Sequence, residues 1–141
     1  VVLSLARAGW DVAFTYWTAY DARMRWGVEP GAPGELQKKV VSFGARTLAV
    51  EADLSDPAVP TQLFDHVERE LGNVTALVLC HCESVDSGLL DTTVESFDRH
   101  FAVNARATWL TTPPETFLMA RARGRWTGSR WPPPANWPTW E

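Results

Sequence analysis

Leu5-Ala6-Arg7-Ala8-Gly9-Trp10-Asp11-Val12-Ala13-Phe14-Thr15-Tyr16 is the stretch on which the reading of this chain turns. Leu3, Leu5, Ala6 and Ala8 run up to Gly9 in the manner of a helix end, closed by a residue that takes positive φ without steric cost. Residues 12–16 then string β-prone Val, Phe, Thr and Tyr together over the length of a short strand. A helix stopped by glycine and followed at once by a strand is half of a helix–strand alternation, and the rest of the chain continues it.

Residues 21–33 carry Gly27, Pro30, Gly31 and Pro33 and read as a loop. A helix restarts near Glu35, with Leu36, Val40 and Phe43 on one face, and Gly44 ends it. Residues 46–51 form a second predicted strand. Ser55-Asp56-Pro57 opens the clearest helix, Ser55 or Asp56 serving as cap and proline suiting a first turn that needs no amide donor. Val59, Leu63, Val67 and Leu71 recur every four residues, Phe64 widens the stripe, and Gly72 stops it. Residues 74–79 are a nearly unbroken apolar run, the pattern of a strand covered on both faces. Thr92 and Glu95 have capping-box spacing at the head of a last helix, which carries Phe97, Phe101, Ala105 and Thr108 and should end at Pro113-Pro114.

This order predicts an α/β fold, a partial Rossmann-like three-layer parallel sheet with an irregular C-terminal tail. Its domain covers residues 1–112. Residues 113–141 are rich in Trp, Pro and Arg without helical or strand spacing, which suits a disordered tail or one read in a shifted frame. A parallel sheet with an uncovered edge predicts marginal stability.

The chain has 141 residues, 45% of them hydrophobic, with a formal net charge of −4. Its length leaves little room for a second complete domain. No run reaches the roughly 18 to 20 apolar residues of a bilayer span, so no membrane partner is expected. The acidic balance argues against a nucleic-acid surface spread over the domain. Arg121, Arg123, Arg125 and Arg130, interleaved with Trp126 and Trp131, would suit a single-strand binder, but the shifted-frame reading accounts for the same composition and no nucleic-acid partner is expected. Cys80 and Cys82 are the only cysteines, two positions apart, which fits a reducing, cytoplasmic setting.

From Val1 to about Thr112 the chain resembles the short-chain dehydrogenase/reductase family, its ketoreductase-like members in particular. Leu5-Ala6-Arg7-Ala8-Gly9-Trp10-Asp11-Val12 is similar to the end of that family's first helix and the start of its second strand. Asp53-Leu54 looks like the family's Asp-Val/Leu pair, whose Asp hydrogen-bonds near the adenine ring; the alternative is an aspartate serving its own turn. Cys80-His81-Cys82-Glu83 stands where the family carries Asn-Asn-Ala-Gly, so Cys80, His81 and Cys82 would line the cofactor. Glu83 in the glycine place puts close backbone approach to the ribose in doubt. Phe97-Asp98-Arg99-His100-Phe101-Ala102-Val103-Asn104 is similar to the helix that bears the family's catalytic Asn, which assigns that role to Asn104.

The resemblance implies hydride transfer between NADP or NAD and a small carbonyl or alcohol, with a nicotinamide cofactor as partner. NADP is mildly favoured: Tyr16-Trp17 offers no carboxylate to the ribose hydroxyls, and Arg23 or Arg25 could reach a phosphate. The family's glycine-rich TGxxxGxG turn and its YxxxK motif are both absent from these 141 residues, so the chain is expected to be an internal fragment, inactive by itself. A second reading is a non-catalytic remnant used for association, a homo-oligomer in which Phe97, Phe101 and Trp109 would lie exposed in the monomer. A zinc site at Cys80-His81-Cys82 is weighed and set aside, because in an extended segment Cys80 and Cys82 share a face while His81 points away. No metal is expected.

Overall fold

A computed structural model describes residues 1–112 of the chain. The predicted tail, 113–141, lies outside the described residues. Helix α1 (Val2–Arg7) ends as its sequence suggests, with Gly9 at φ +86° and the Gly9 and Trp10 amides donating back to Ala6 and Leu5 carbonyls. Strand β1 (Val12–Tyr16) follows, then a single helical turn, α2 (Thr18–Asp21). Helix α3 (Ala32–Ser42) opens after Gly31, at φ +81°, and has proline in its first turn. It crosses to strand β2 (Thr47–Glu51), which pairs in parallel with β1 from Val12↔Thr47 to Tyr16↔Glu51.

Parallel strands need a covered crossover, and the first core forms under it. Ala6, Val12, Val40 and Ala45 are buried together, with Val2, Leu3 and Leu5 packed against them. The start of the sheet is stapled by Asp11. Its Oδ1 accepts the Arg46 backbone N–H at 2.7 Å, and its Oδ2 accepts from Arg46 Nε at 2.8 Å. Arg46 Nη2 also donates to the Leu71 carbonyl at 2.8 Å. The Arg46 amide, and then its guanidinium, hold the Asp11 carboxyl below the usual carboxylate range.

Helix α4 (Val59–Leu71) begins later than the sequence predicts, with Ala58 at the cap and Pro60 rather than Pro57 in its first turn. Asp56 Oδ1 accepts the Ala58 N–H at 2.8 Å, an Asx turn that spends its side chain before the helix starts. Helix α5 (Val94–Phe101) is capped by Thr93, whose hydroxyl accepts from the Ser96 amide at 3.2 Å. Thr92, the predicted cap, instead donates to the Gly88 carbonyl at 2.8 Å and pairs with Ser87. A π-helix (Ala102–Ala107) and one more turn, α6 (Thr108–Leu110), continue α5. Ala107 is buried with Ala52 and Leu54 in a second core, against which Val59 packs.

The predicted third strand does not form. Residues 74–79 join no ladder, and Leu77, Val78 and Leu79 are 40–52% exposed. A strand exists only against a neighbour. In the doubly wound order 3-2-1-4-5-6, strand 4 pairs with strand 1 and not with the adjacent pair 2 and 3, the pair that β1 and β2 resemble. No strand among the described residues fills that place, so the apolar run stays solvated. The α/β class with a parallel sheet holds, with two strands among the described residues rather than three. No helix among the described residues is long and apolar enough to cross a membrane.

Candidate functional site

The segment after residue 79 has no sheet to hold it, and its order comes from side chains. Asn104, in the π-helix, grips the backbone of Glu83 at both ends: its Oδ1 accepts the Glu83 N–H at 2.8 Å and its Nδ2 donates to the Glu83 carbonyl at 2.9 Å. An amide offers one acceptor and one donor face, so it can replace two rungs of a missing ladder. The Asn104 carbonyl accepts from the Thr108 hydroxyl at 3.0 Å, and that hydroxyl also lies 3.3 Å from His81 Nε2. Further along, the Ser84 amide donates to the Tyr20 hydroxyl at 3.3 Å and the Val85 amide to His100 Nε2 at 3.2 Å.

Glu83 itself turns inward. It is 2% exposed, and its two carboxylate oxygens take Nη1 and Nη2 of Arg23 at 3.0 Å each, a fork-to-fork pair spanning 60 positions. The Arg23 guanidinium also lies 5.4 Å from the Tyr20 ring centre and 5.8 Å from that of Trp17. Its bond to Glu83 raises its already high pKa, so it stays charged at any working pH. Arg23, Met24, Arg25, Trp26, Ser84 and Val85 line one open cleft of about 510 Å³ at this point, with Asp86 also on its wall. The tilted Tyr20 and Trp26 rings sit 6.2 Å apart, and Trp26 Nε1 donates to Asp21 at 3.0 Å.

Of the residues singled out in the sequence, Asn104, His81 and Cys82 come together around Glu83. His81 reaches Thr108, and the Cys82 thiol lies 3.5 Å from the Glu83 carbonyl. Cys80 and Cys82 are exposed thiols, not joined by a disulfide. Asp53 serves its own turn, its Oδ1 accepting the Ser55 amide at 2.8 Å, though its charge also acts on Arg23; Leu54 is buried in the second core. Among the described residues no three His, Cys, Asp or Glu side chains gather as they would around a metal ion. Phe97, Phe101 and Trp109 are 59%, 62% and 74% exposed. The sequence reading considered Arg23 and Glu83 separately and missed their pairing. A lone Glu just after an apolar run was the only signal, and no local spacing links it to a partner so distant.

No family profile matches the chain. The uncharacterised oxidoreductase YjdA of Bacillus subtilis is 26% identical over 106 residues, 75% of this chain and 39% of that protein. A short-chain dehydrogenase/reductase of Armillaria gallica is 29% identical over 110 residues, 78% of this chain and 39% of its own length. A doubly substituted short-chain dehydrogenase/reductase of Serratia marcescens superimposes with a TM-score of 0.69 at 25% identity, covering 84% of this chain and 44% of that one. Both kinds of neighbour point to one family, the short-chain dehydrogenases/reductases. A member from Burkholderia cenocepacia, solved with NADP, gives a TM-score of 0.65 at 26% identity over 86% of this chain and 44% of its own. The chain spans about two-fifths of the length of the family relatives it matches.

Proposed function

We propose that this chain is a segment of an NAD(P)-dependent oxidoreductase that moves a hydride to or from a small carbonyl or hydroxyl substrate, with NADP the favoured cofactor. The observation that carries this reading is the grip of Asn104 on the Glu83 backbone. By the family resemblance one end of that contact belongs to the catalytic set and the other to the segment that lines the nicotinamide cofactor. The cofactor would supply the hydride. In this chain Asn104 would act as a positioning residue, fixing residues 80–83 beside it through two backbone hydrogen bonds. Arg25, on the open cleft, supplies a cation for a phosphate, which supports NADP over NAD.

The 141 residues alone are proposed to be inactive. Acid/base catalysis in the family needs a Tyr with a nearby Lys, and here Tyr occurs only at 16 and 20 and no Lys follows Lys39.

A chimera tests this reading: residues 1–112 replace the corresponding span of the Burkholderia cenocepacia relative, and NADPH oxidation is followed with a panel of ketones and aldehydes. The chimera should oxidise NADPH in a substrate-dependent way, and Asn104→Ala should lower its rate by about 10²-fold. A chimera that folds and binds neither NADPH nor NADH overturns the proposal. Substrate-dependent oxidation by the 141-residue chain itself would overturn its inactivity.

A further inference from the structure

The Arg23–Glu83 pair joins the loop after β1 to the segment gripped by Asn104, and it lies at the edge of the cleft. Three features distinguish it from a simple structural ion pair. First, the guanidinium is placed independently of Glu83, by the Trp17 and Tyr20 rings and by Nε donating to the Ala19 carbonyl at 3.4 Å. Second, the backbone of Glu83 is held at both N–H and C=O by Asn104, so its carboxylate can swing about side-chain torsions alone while the chain around it stays in place. Third, Arg23 remains 39% exposed at its side chain and shares the open cleft with Arg25, Trp26 and Ser84. A fixed cation with a movable anion in front of it, beside a second cation and a 63% exposed indole, is suited to an aromatic ligand carrying a phosphate.

We propose that the Glu83 carboxylate is an internal stand-in for a ligand phosphate on the Arg23 fork, so that Glu83 and a nucleotide phosphate compete for the same guanidinium. The fork that takes two carboxylate oxygens at 3.0 Å takes two phosphate oxygens equally well, and a phosphate brings more charge to it. Glu83 therefore weakens the binding of phosphate-bearing ligands, and its release accompanies their entry. When Glu83 leaves, its carboxylate regains the hydration that burial denied it, which offsets part of the lost pairing. The choice of an adenine nucleotide as the ligand rests on the oxidoreductase reading above; the competition itself rests on the geometry.

The experiment uses the whole 141-residue chain and measures binding of adenosine 2′-monophosphate and of adenosine by calorimetry and tryptophan fluorescence. Glu83→Gln keeps the size of the side chain and an acceptor for Arg23 but removes the charge. It should tighten adenosine 2′-monophosphate about tenfold, equivalent to about 1.4 kcal/mol, and leave adenosine unchanged. Asp86→Asn removes a carboxylate from the same cleft and should change either affinity less than threefold. Arg23→Gln should abolish the difference between the two ligands. If Glu83→Gln does not fold by circular dichroism, Glu83→Asp, one methylene shorter and so less able to reach the fork, should give a smaller gain of the same sign. An unchanged phosphate affinity in the Glu83 variants, or an equal gain in Asp86→Asn, overturns the competition while adenosine binding leaves the nucleotide reading in place. Failure of every chain to bind either compound overturns the nucleotide reading and the competition with it.

Discussion

Val40 and Val78 sit in apolar stretches of similar character, yet the first is fully buried and the second is 52% exposed. Around Val40, residues 1–71 are held by a two-stranded parallel ladder and by helices α1, α3 and α4 laid against it. Around Val78, residues 72–112 have no ladder. Apart from the small core around Ala107, their order comes from a few polar contacts: Asn104 on Glu83, Glu83 on Arg23, His100 on Val85 and Arg106 on the Ser55 carbonyl. Hydrophobicity alone does not bury a strand. The backbone must also find a partner for its N–H and C=O groups, and where none is adjacent, side chains take over at chosen points.

The largest effect should come from the polar half. Arg23→Ala leaves the Glu83 carboxylate buried without its cation and should destabilise the chain by about 2–3 kcal/mol, somewhat less than a fully buried pair because Arg23 is partly solvated. Replacing both partners, Arg23→Met with Glu83→Leu, should recover most of that loss, since no charge is then left unpaired. Urea denaturation of the single and double variants measures the coupling, and a double variant as unstable as Arg23→Ala would break the comparison.

A smaller effect distinguishes the two valines directly. Val40→Ala removes two methyl groups from a closed core and should cost about 2 kcal/mol. Val78→Ala should stay within about 0.5 kcal/mol, as expected of a solvated position. Equal costs would mean that residues 74–79 are covered in solution, and the contrast between the halves would collapse.

The smallest concerns the cap of α5. Thr93→Ala should cost about 1 kcal/mol and Thr92→Ala less, because only Thr93 receives a helix amide. The Glu95 carboxyl is held below its ordinary range, first by its own backbone amide and then by the Thr93 hydroxyl. A lowered folded-state pKa contributes stability above the unfolded value, and that contribution disappears as pH falls through the folded one. Circular dichroism between pH 7 and 2 should therefore show α5 loosening at the acid end, and the dependence should shrink in Thr93→Ala.

How legible each feature was in the sequence follows the same division. The helix stops at Gly9 and Gly72 and the strands at 12–16 and 47–51 were readable because each depends on neighbours within a few positions. The cap of α5 was missed by one residue because Thr92 and Thr93 both fit, and the choice depended on the Gly88 carbonyl that Thr92 met. The third strand was misread because the apolar run at 74–79 records what a sheet would accept, not whether a neighbouring strand is at hand. At the site, Asn104 could be singled out through a family motif. The Arg23–Glu83 contact could not, since ion pairs across 60 residues leave no periodic trace.

The π-helix at Ala102–Ala107 gives the last helix an unusual tolerance of insertion and deletion. A wide turn amounts to one residue more than an α-helix needs, taken up without breaking the rod. Deleting a single residue there would restore the ordinary turn and leave everything beyond it close to its present phase, whereas the same deletion in a regular α-helix would rotate it by about 100°, one α-helical step. Thr108, Trp109 and Leu110 would stay near the faces they occupy now, while positions inside the bulge, Asn104 among them, would shift. The part of the helix that a change of length alters is thus the turn that holds Glu83, while the helix end keeps the side chains it presents.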